Sequence, residues 1–283
     1  MNKPDFDIVS EDLAVVDWSD CRLVMEVNSQ YFHYVVISGT KSVIALKYYH
    51  FTSHNNLELT NILGEIIKED IVLKERMKDS VVIYNHPENC LVPDQYFNPD
   101  FNKEMLELVH GDINKGTIHS EKIQGWDIFN IFRLPQDLHE FFQHYFLCGM
   151  PRHLYTLWLE CHREPAITAH DNVCVLFYPN EILAVVLAGG QLQVVQSFPY
   201  KTAEDIAWHL LNIYKRCGLD QSKTPLVIGG LINHNSAMHE ELKKYFLDVR
   251  PYPLPEGLIV TEQVNSFPGH FFSPLLKLAL CVS

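Results

Sequence analysis

The clearest alternation of apolar runs and polar breaks lies between Asp171 and Leu231. Three short runs, Val173–Tyr178, Ile182–Leu187 and Gln193–Phe198, are separated by turn residues and read as strands. Tyr178-Pro179-Asn180 supplies the first turn, because proline restricts φ and asparagine tolerates a left-handed backbone. Gly189-Gly190 supplies the second, a pair that accepts the positive φ angles of a tight hairpin. Thr202, followed three residues on by Asp205, predicts a helix start. Ile206, Leu210, Ile213 and Tyr214 recur at helical spacing, and Gly218 predicts the stop. Leu226–Ile228 then reads as a buried parallel strand. The order is β-β-β-α-β.

The same order occurs earlier. Leu23–Val27 and Tyr31–Ser38 read as strands around the polar turn Asn28-Ser29-Gln30, and Gly39-Thr40 turns the chain into Ser42–Tyr49. Leu23 to Ser38 overlies Val173 to Ala188 at a constant offset of 150, with Gly39 on Gly189. Asn56–Ile67 repeats the helix, with Leu59, Ile62, Leu63, Ile66 and Ile67 on one face. Val81–Tyr84 repeats the closing strand at an offset of 145 (226 − 81). A duplication of this kind predicts two like-folded domains, residues 1–165 and 166–283.

Between the copies, the pattern predicts a helix at Pro99–Val109 and a hairpin of Thr117–Ile123 and Asp127–Leu134, turned at Gln124-Gly125. Helices follow at Pro135–Phe146 and Arg152–Arg163. Beyond the second copy come a helix at Ala237–Phe246, a short strand at Leu247–Val249 and a proline-rich loop at Pro251–Gly257. Ser273–Val282 reads as a buried final helix, and residues 1–20 as an extended lead-in.

Composition narrows the function. With 283 residues, 47% apolar and 20% charged, the chain can build two cores. Its net charge of −13 opposes a phosphate-neutralising surface, so no nucleic-acid partner is expected. The acidic start MNKPDFDIVSEDL predicts no signal peptide, and no run approaches the ~20 apolar residues of a membrane span. A cytoplasmic protein without membrane insertion is the expectation. The seven cysteines are odd in number, widely spaced and set in apolar segments, which predicts reduced, buried thiols.

Fifteen histidines invite a metal reading, but there is no His-x-x-x-His with a glutamate partner and no Cys-x-x-Cys. His139 and His144, like His234 and His239, are five apart, a spacing that does not place both rings on one helical face. No metal site is expected. Glu240-Glu241 reads as a solvated face. Gly-x-Ser-x-Gly, Walker-type and Gly-x-Gly-x-x-Gly motifs are absent. Trp208 is expected in the core of its helix. Trp126, at a hairpin tip, is either an exposed anchor for a partner or folded back on its own domain.

Two β-β-β-α-β halves with a helix-rich seam, together with Val227-Ile228-Gly229-Gly230, resemble the actin-like ATPase superfamily. Within it the chain is similar to the pilus-assembly and secretion subgroup, and specifically to an uncharacterised bacterial family with that fold. The resemblance implies an α/β, ribonuclease H-like fold over most of residues 20–283. It also implies a nucleotide site made by two Asp-x-Gly turns and an apolar-Gly-Gly segment. Here the first turn is Glu26-Val27-Asn28-Ser29, which keeps a carboxylate but lacks the glycine needed for close backbone approach to phosphate. The second is Phe177-Tyr178-Pro179-Asn180, with neither aspartate nor glycine, and Pro179 removes a donor N–H. Ile228-Gly229-Gly230 matches the third segment.

The expectation is therefore a degenerate site, no cofactor and no catalytic residues, in a binding or scaffolding protein with a protein partner. The alternative is a nucleotide-binding protein or ATPase that holds ATP with Mg²⁺ in the cleft between its halves. In that case Glu26 and Asn28 would face the phosphates, and Gly229 and Gly230 the adenosine. A small-molecule sensor using the same cleft is a third option.

Overall fold

The computed structural model describes residues 3–10, 12–113, 115–163 and 170–282. The chain divides into two compact units. The first comprises Met1–Cys161 with Gly257–Thr261 and Leu278–Ser283, and the second His162–Glu256 with Glu262–Lys277.

The first unit is built on a six-stranded sheet. Its strands are β1 (Phe6–Val9), β2 (Arg22–Val27), β3 (Tyr31–Ile37), β4 (Val43–His50), β5 (Asp79–Tyr84) and β9 (Arg152–His153), in the order β1-β4-β3-β2-β5-β9. Alternation along the strands sends Leu23, Met25, Val27, Phe32, Tyr34 and Val36 to one face. Helix α1 (Asn56–Glu69) covers that face with Leu59, Leu63, Ile66 and Ile67. The Asn55 side chain starts α1 by accepting the Glu58 N–H at 2.9 Å. A three-stranded sheet follows, β6 (Asn89–Pro93), β7 (Thr117–Lys122) and β8 (Ile128–Leu134) in the order β6-β8-β7, with α2 (Asn102–His110) contributing Leu106 to its small core. Helix α3 (Gln136–Tyr145) adds Leu138 and Phe142 to the main core. Helix α4 (Leu154–Cys161) is buried along nearly its whole length.

The second unit carries β10 (Asn172–Phe177), β11 (Glu181–Ala188), β12 (Gln191–Pro199), β13 (Leu226–Gly230) and β14 (Val249–Pro251), in the order β12-β11-β10-β13-β14. Gly189 and Gly190 turn β11 into β12 at φ angles of 60° and 73°, as the diglycine predicted. Helix α5 (Ala203–Cys217) begins in a full Thr202–Asp205 capping box and ends at Gly218 with φ 68°. Helices α6 (Ala237–Lys243), α7 (Glu262–Asn265) and α8 (Ser273–Cys281) follow.

The duplication holds residue by residue. At the offset of 150, core residues Leu23, Met25, Val27, Phe32, Tyr34 and Val36 correspond to Val173, Val175, Phe177, Ile182, Ala184 and Val186, all six in the second core. β2 pairs in parallel with β5 as β10 does with β13. The closing strand needs a correction. Leu23 sits opposite Ser80 and Val173 opposite Leu226, so the offset there is 146 (226 − 80), not 145. A one-residue slip would reverse which side chains face the core. The apolar run hid this because its first core-facing residue is a buried serine.

Other expectations shift for local reasons. The lead-in contains β1, which pairs antiparallel with β4 from Phe6–Tyr48 to Val9–Ala45 and buries Ile8. The helix expected at Arg152–Arg163 is preceded by β9, and the strand expected at Leu247–Val249 runs from Val249 to Pro251. Trp208 is 64% exposed rather than in the core, because two positions beyond Ile206 lies about 200° around the helix. Trp126 folds back, its indole N–H donating to the Leu159 carbonyl at 3.0 Å. Cys161 and Cys281, at the ends of α4 and α8, form a disulfide with Cα atoms 5.7 Å apart, which corrects the expectation of thiols throughout. A separation of 120 residues gave no sequence cue to the pairing. Cys21, Cys90, Cys148, Cys174 and Cys217 are free.

Two histidines, the fully buried His153 and the half-buried His86, give the first unit a pH dependence. The His153 Nδ1 accepts the Tyr155 N–H at 3.1 Å, so Nε2 carries the proton and donates to the His86 carbonyl at 3.0 Å. Burial pushes the His153 imidazole down to about 3 and that of His86 down to about 4, from an ordinary 6.5. The unfolded chain therefore binds more protons between these values. The stabilisation is complete above pH 6.5 and is lost as pH falls towards the folded-state values. Each histidine contributes a slope of up to about 1.4 kcal/mol per pH unit in that window. Chemical denaturation between pH 7 and pH 5 checks this, and the slope is expected to shrink in His153→Gln.

Candidate functional site

The turn between β2 and β3 is where the actin-like resemblance places its first phosphate loop. Glu26 lies one residue inside the end of β2 and is 1% exposed. Antiparallel pairing sets it directly opposite His33. Its Oε1 accepts the Tyr31 hydroxyl at 2.5 Å, and its Oε2 lies 2.9 Å from the His33 Nε2. The Asn85 amide donates to the Tyr31 hydroxyl at 2.9 Å. The Tyr31 ring stacks on Tyr48 at 6.0 Å and meets His33 edge-on at 5.3 Å. The carboxylate is thus held by a tyrosine and a histidine of its own hairpin, and the ring stack fills the space beside them.

The turn itself is closed by its own groups. Asn28 Oδ1 accepts the Gln30 N–H at 2.6 Å, and the Asn28 N–H donates to the Tyr31 carbonyl at 3.0 Å. Ser53 binds the Ser29 carbonyl through both Oγ (2.6 Å) and its N–H (3.0 Å). A phosphate loop requires backbone N–H groups aimed outward at the anion. Here two of those donors are spent inside the turn.

The second turn follows the same rule. The Tyr178 N–H donates to the Glu181 carbonyl at 2.9 Å, and Pro179 has no N–H to offer. Tyr200 bridges the turn, its hydroxyl donating to the Tyr178 carbonyl at 2.7 Å and its N–H to Asn180 at 3.0 Å.

Gly229 and Gly230 end β13. Gly230 has φ +82°, and a Cβ there would sit 2.4 Å from the Phe177 carbonyl oxygen. A Cβ on Gly229 would come within 3.1–3.2 Å of Pro274, Tyr252 and Leu176. Packing within the second unit accounts for both glycines. Of the four predicted residues, Glu26 and Asn28 flank one turn of the first unit, and Gly229 and Gly230 adjoin in the second.

Sequence reasoning missed Tyr31, His33 and Asn85. The available cue was Glu26, a charged residue inside the apolar strand Leu23–Val27, which requires a buried partner. One histidine pair comes together despite its five-residue spacing. His234 and His239 have ring centroids 5.0 Å apart, because His234 lies in the loop before α6 rather than on the helix. His270 stands 4.5 Å from His234. Among the described residues, no group of three or more histidine, cysteine or acidic side chains could hold a metal ion. Among them, too, no helix is long and apolar enough to cross a membrane.

Solved structures share the architecture. A Bacteroides thetaiotaomicron protein with actin-like ATPase fold and unknown function superposes with a TM-score of 0.69 at 14% identity, over 84% of this chain and 94% of that one. The PilM-PilN type IV pilus biogenesis complex matches with a TM-score of 0.58 at 13% identity, over 92% and 96%. At such identities the likeness establishes the actin-like ATPase fold. No curated protein sequence matches the chain. The model of a family of proteins of unknown function, DUF3822, matches residues 11–249, and the chain belongs to that family.

Proposed function

We propose that this protein is a non-catalytic binding or scaffolding protein that uses the actin-like fold to present a surface to a protein partner in the cytoplasm. One observation carries the reading: the turns matching the two phosphate loops are filled by the chain's own groups. Glu26 is occupied by Tyr31 and His33, and Pro179 leaves the second turn one donor short. To hold Mg-ATP, the first turn would have to break buried, charge-assisted hydrogen bonds worth roughly 1.5–3 kcal/mol each. The PilM-PilN structure, a type IV pilus biogenesis complex, supports a partner-binding role as a precedent for this fold. Steady-state phosphate release from ATP with Mg²⁺ tests the reading. The rate should equal the buffer blank and be unchanged in Glu26→Gln. Turnover that Glu26→Gln abolishes would sink the proposal in favour of an ATPase.

A further inference from the structure

At the end of the first sheet opposite the Glu26 turn lies a cavity of about 220 Å³. All the residues that line it belong to the first unit. One side is apolar, made by Val24 of β2, Ile37 of β3 and Leu280 of α8. The rest carries charge. Arg22 is already committed: its guanidinium donates to both Asp79 carboxylate oxygens at 2.6 and 2.7 Å and to the Val282 carbonyl at 2.7 Å. Asp20, Lys41 and Lys78 also line the cavity, and they differ from Arg22. Among the described residues, none of these three charged groups has an opposite charge within 4.0 Å.

The backbone holds them there. Lys41 has φ 62°, the one left-handed non-glycine among the described residues. Such strain persists only where the surroundings impose it, and it clusters at ligand sites. The Lys41 N–H donates to the Ser38 carbonyl at 2.8 Å, and its carbonyl accepts the Ile259 N–H at 2.9 Å. In the same turn Gly39 is not left-handed, but a Cβ there would overlap the Asp20 carboxylate. The glycine makes room for Asp20. The Lys78 N–H donates to the carbonyl of Cys21, the residue after Asp20, at 2.9 Å.

The second half is a control within the same chain. At the offset of 150, Asp20, Arg22 and Lys41 fall on His170, Asn172 and Gln191. At the closing-strand offset of 146, Lys78 falls on Thr224. None of these is a lysine, an arginine or a carboxylate, and the turn places its left-handed φ at Gly189 and Gly190. The hairpin and its parallel neighbour therefore fold without the charges, and the fold does not account for them.

We propose that this cavity binds a free apolar α-amino acid. Its carboxylate meets the ammonium groups of Lys41 and Lys78, and its ammonium meets the Asp20 carboxylate. Its side chain lies on Val24, Ile37 and Leu280. A zwitterion answers unpaired groups of both signs, whereas a simple anion would face Asp20 and a simple cation two lysines. Sites for drug-sized ligands begin at roughly 300 Å³, so the smaller volume here suits a ligand of this size. The inference is independent of the partner-binding reading above.

Equilibrium dialysis of the full chain with labelled L-leucine tests the proposal. Competition by isocaproate, which lacks the ammonium, and by isoamylamine, which lacks the carboxylate, separates the two charges. Leucine should bind, and each analogue should compete at least roughly tenfold more weakly than unlabelled leucine. Asp20→Asn and Lys78→Thr, the latter installing the residue of the second half, should each weaken leucine by a similar factor. Both side chains are exposed, so the fold should persist, and circular dichroism and Tm check that it does. Three results would overturn the proposal: no binding at millimolar leucine, an analogue that competes as well as leucine, or an affinity indifferent to both substitutions.

Discussion

Asp70→Ala is expected to lower the unfolding free energy by about 3–5 kcal/mol, the cost of breaking a buried, hydrogen-bonded ion pair. Asp70 follows α1 and is 5% exposed. Its Oδ2 accepts the Tyr34 and Tyr49 hydroxyls at 2.7 and 2.5 Å. Its Oδ1 accepts the Lys47 ammonium at 3.2 Å and the Val72 N–H at 2.9 Å. Burial, reinforced by the Asp70 charge, pushes both phenols up, so they remain protonated donors. Removing the carboxylate leaves two buried hydroxyls without this acceptor and Lys47, among the described residues, with Asp7 at 3.1 Å. Asp70→Asn keeps an acceptor oxygen and should cost less. Urea denaturation measures both. A loss below about 1 kcal/mol for the alanine variant would mean that the network contributes no more than an exposed ion pair.

Gly230→Val should destabilise the second unit by roughly 3 kcal/mol or more. It combines a backbone clash at Phe177 with a positive φ that β-branched residues avoid. Gly229→Ala meets side chains rather than backbone, so about 1–3 kcal/mol is expected from overpacking. The same denaturation experiment ranks the two. An intact, fully stable Gly230→Val protein would remove the packing explanation and return the glycines to a ligand-binding role. Because either substitution disturbs packing, neither is a clean probe of nucleotide binding. Glu26→Gln, which keeps its volume and an acceptor, is.

Both domain cores were legible because each rests on period-2 and period-3.6 patterns that a single chain displays twice. Leu23, Met25 and Val27 predict Val173, Val175 and Phe177 without any structure. What sequence could not show depends on pairing across space. β1 is four residues with Asp7 inside it, and only the neighbouring β4 makes it a strand. Asp70 reads as a polar residue after a helix until Tyr34, Lys47 and Tyr49 converge on it. In the second half, strand register puts Ala184, Gln196 and Phe198 at the places of those three, so the duplication gives no hint of the network. At the candidate site, the loss of Asp-x-Gly was visible. That the chain fills the space with Tyr31, His33 and Tyr200 was not, because aromatic residues in or beside a strand look the same whether they pack or bind.

With their donors used internally, both turns should be closed to phosphate. A thermal-shift titration of the full chain with ATP and ADP, with and without Mg²⁺, tests it most directly. A ligand bound only by the native state stabilises it by RT ln(1 + [L]/Kd), about 2.7 kcal/mol at a hundredfold excess over Kd. The closed turns predict no shift at millimolar nucleotide, with or without the metal. A Mg²⁺-dependent rise in Tm that Glu26→Gln removes would contradict the account and make this chain a nucleotide-binding protein.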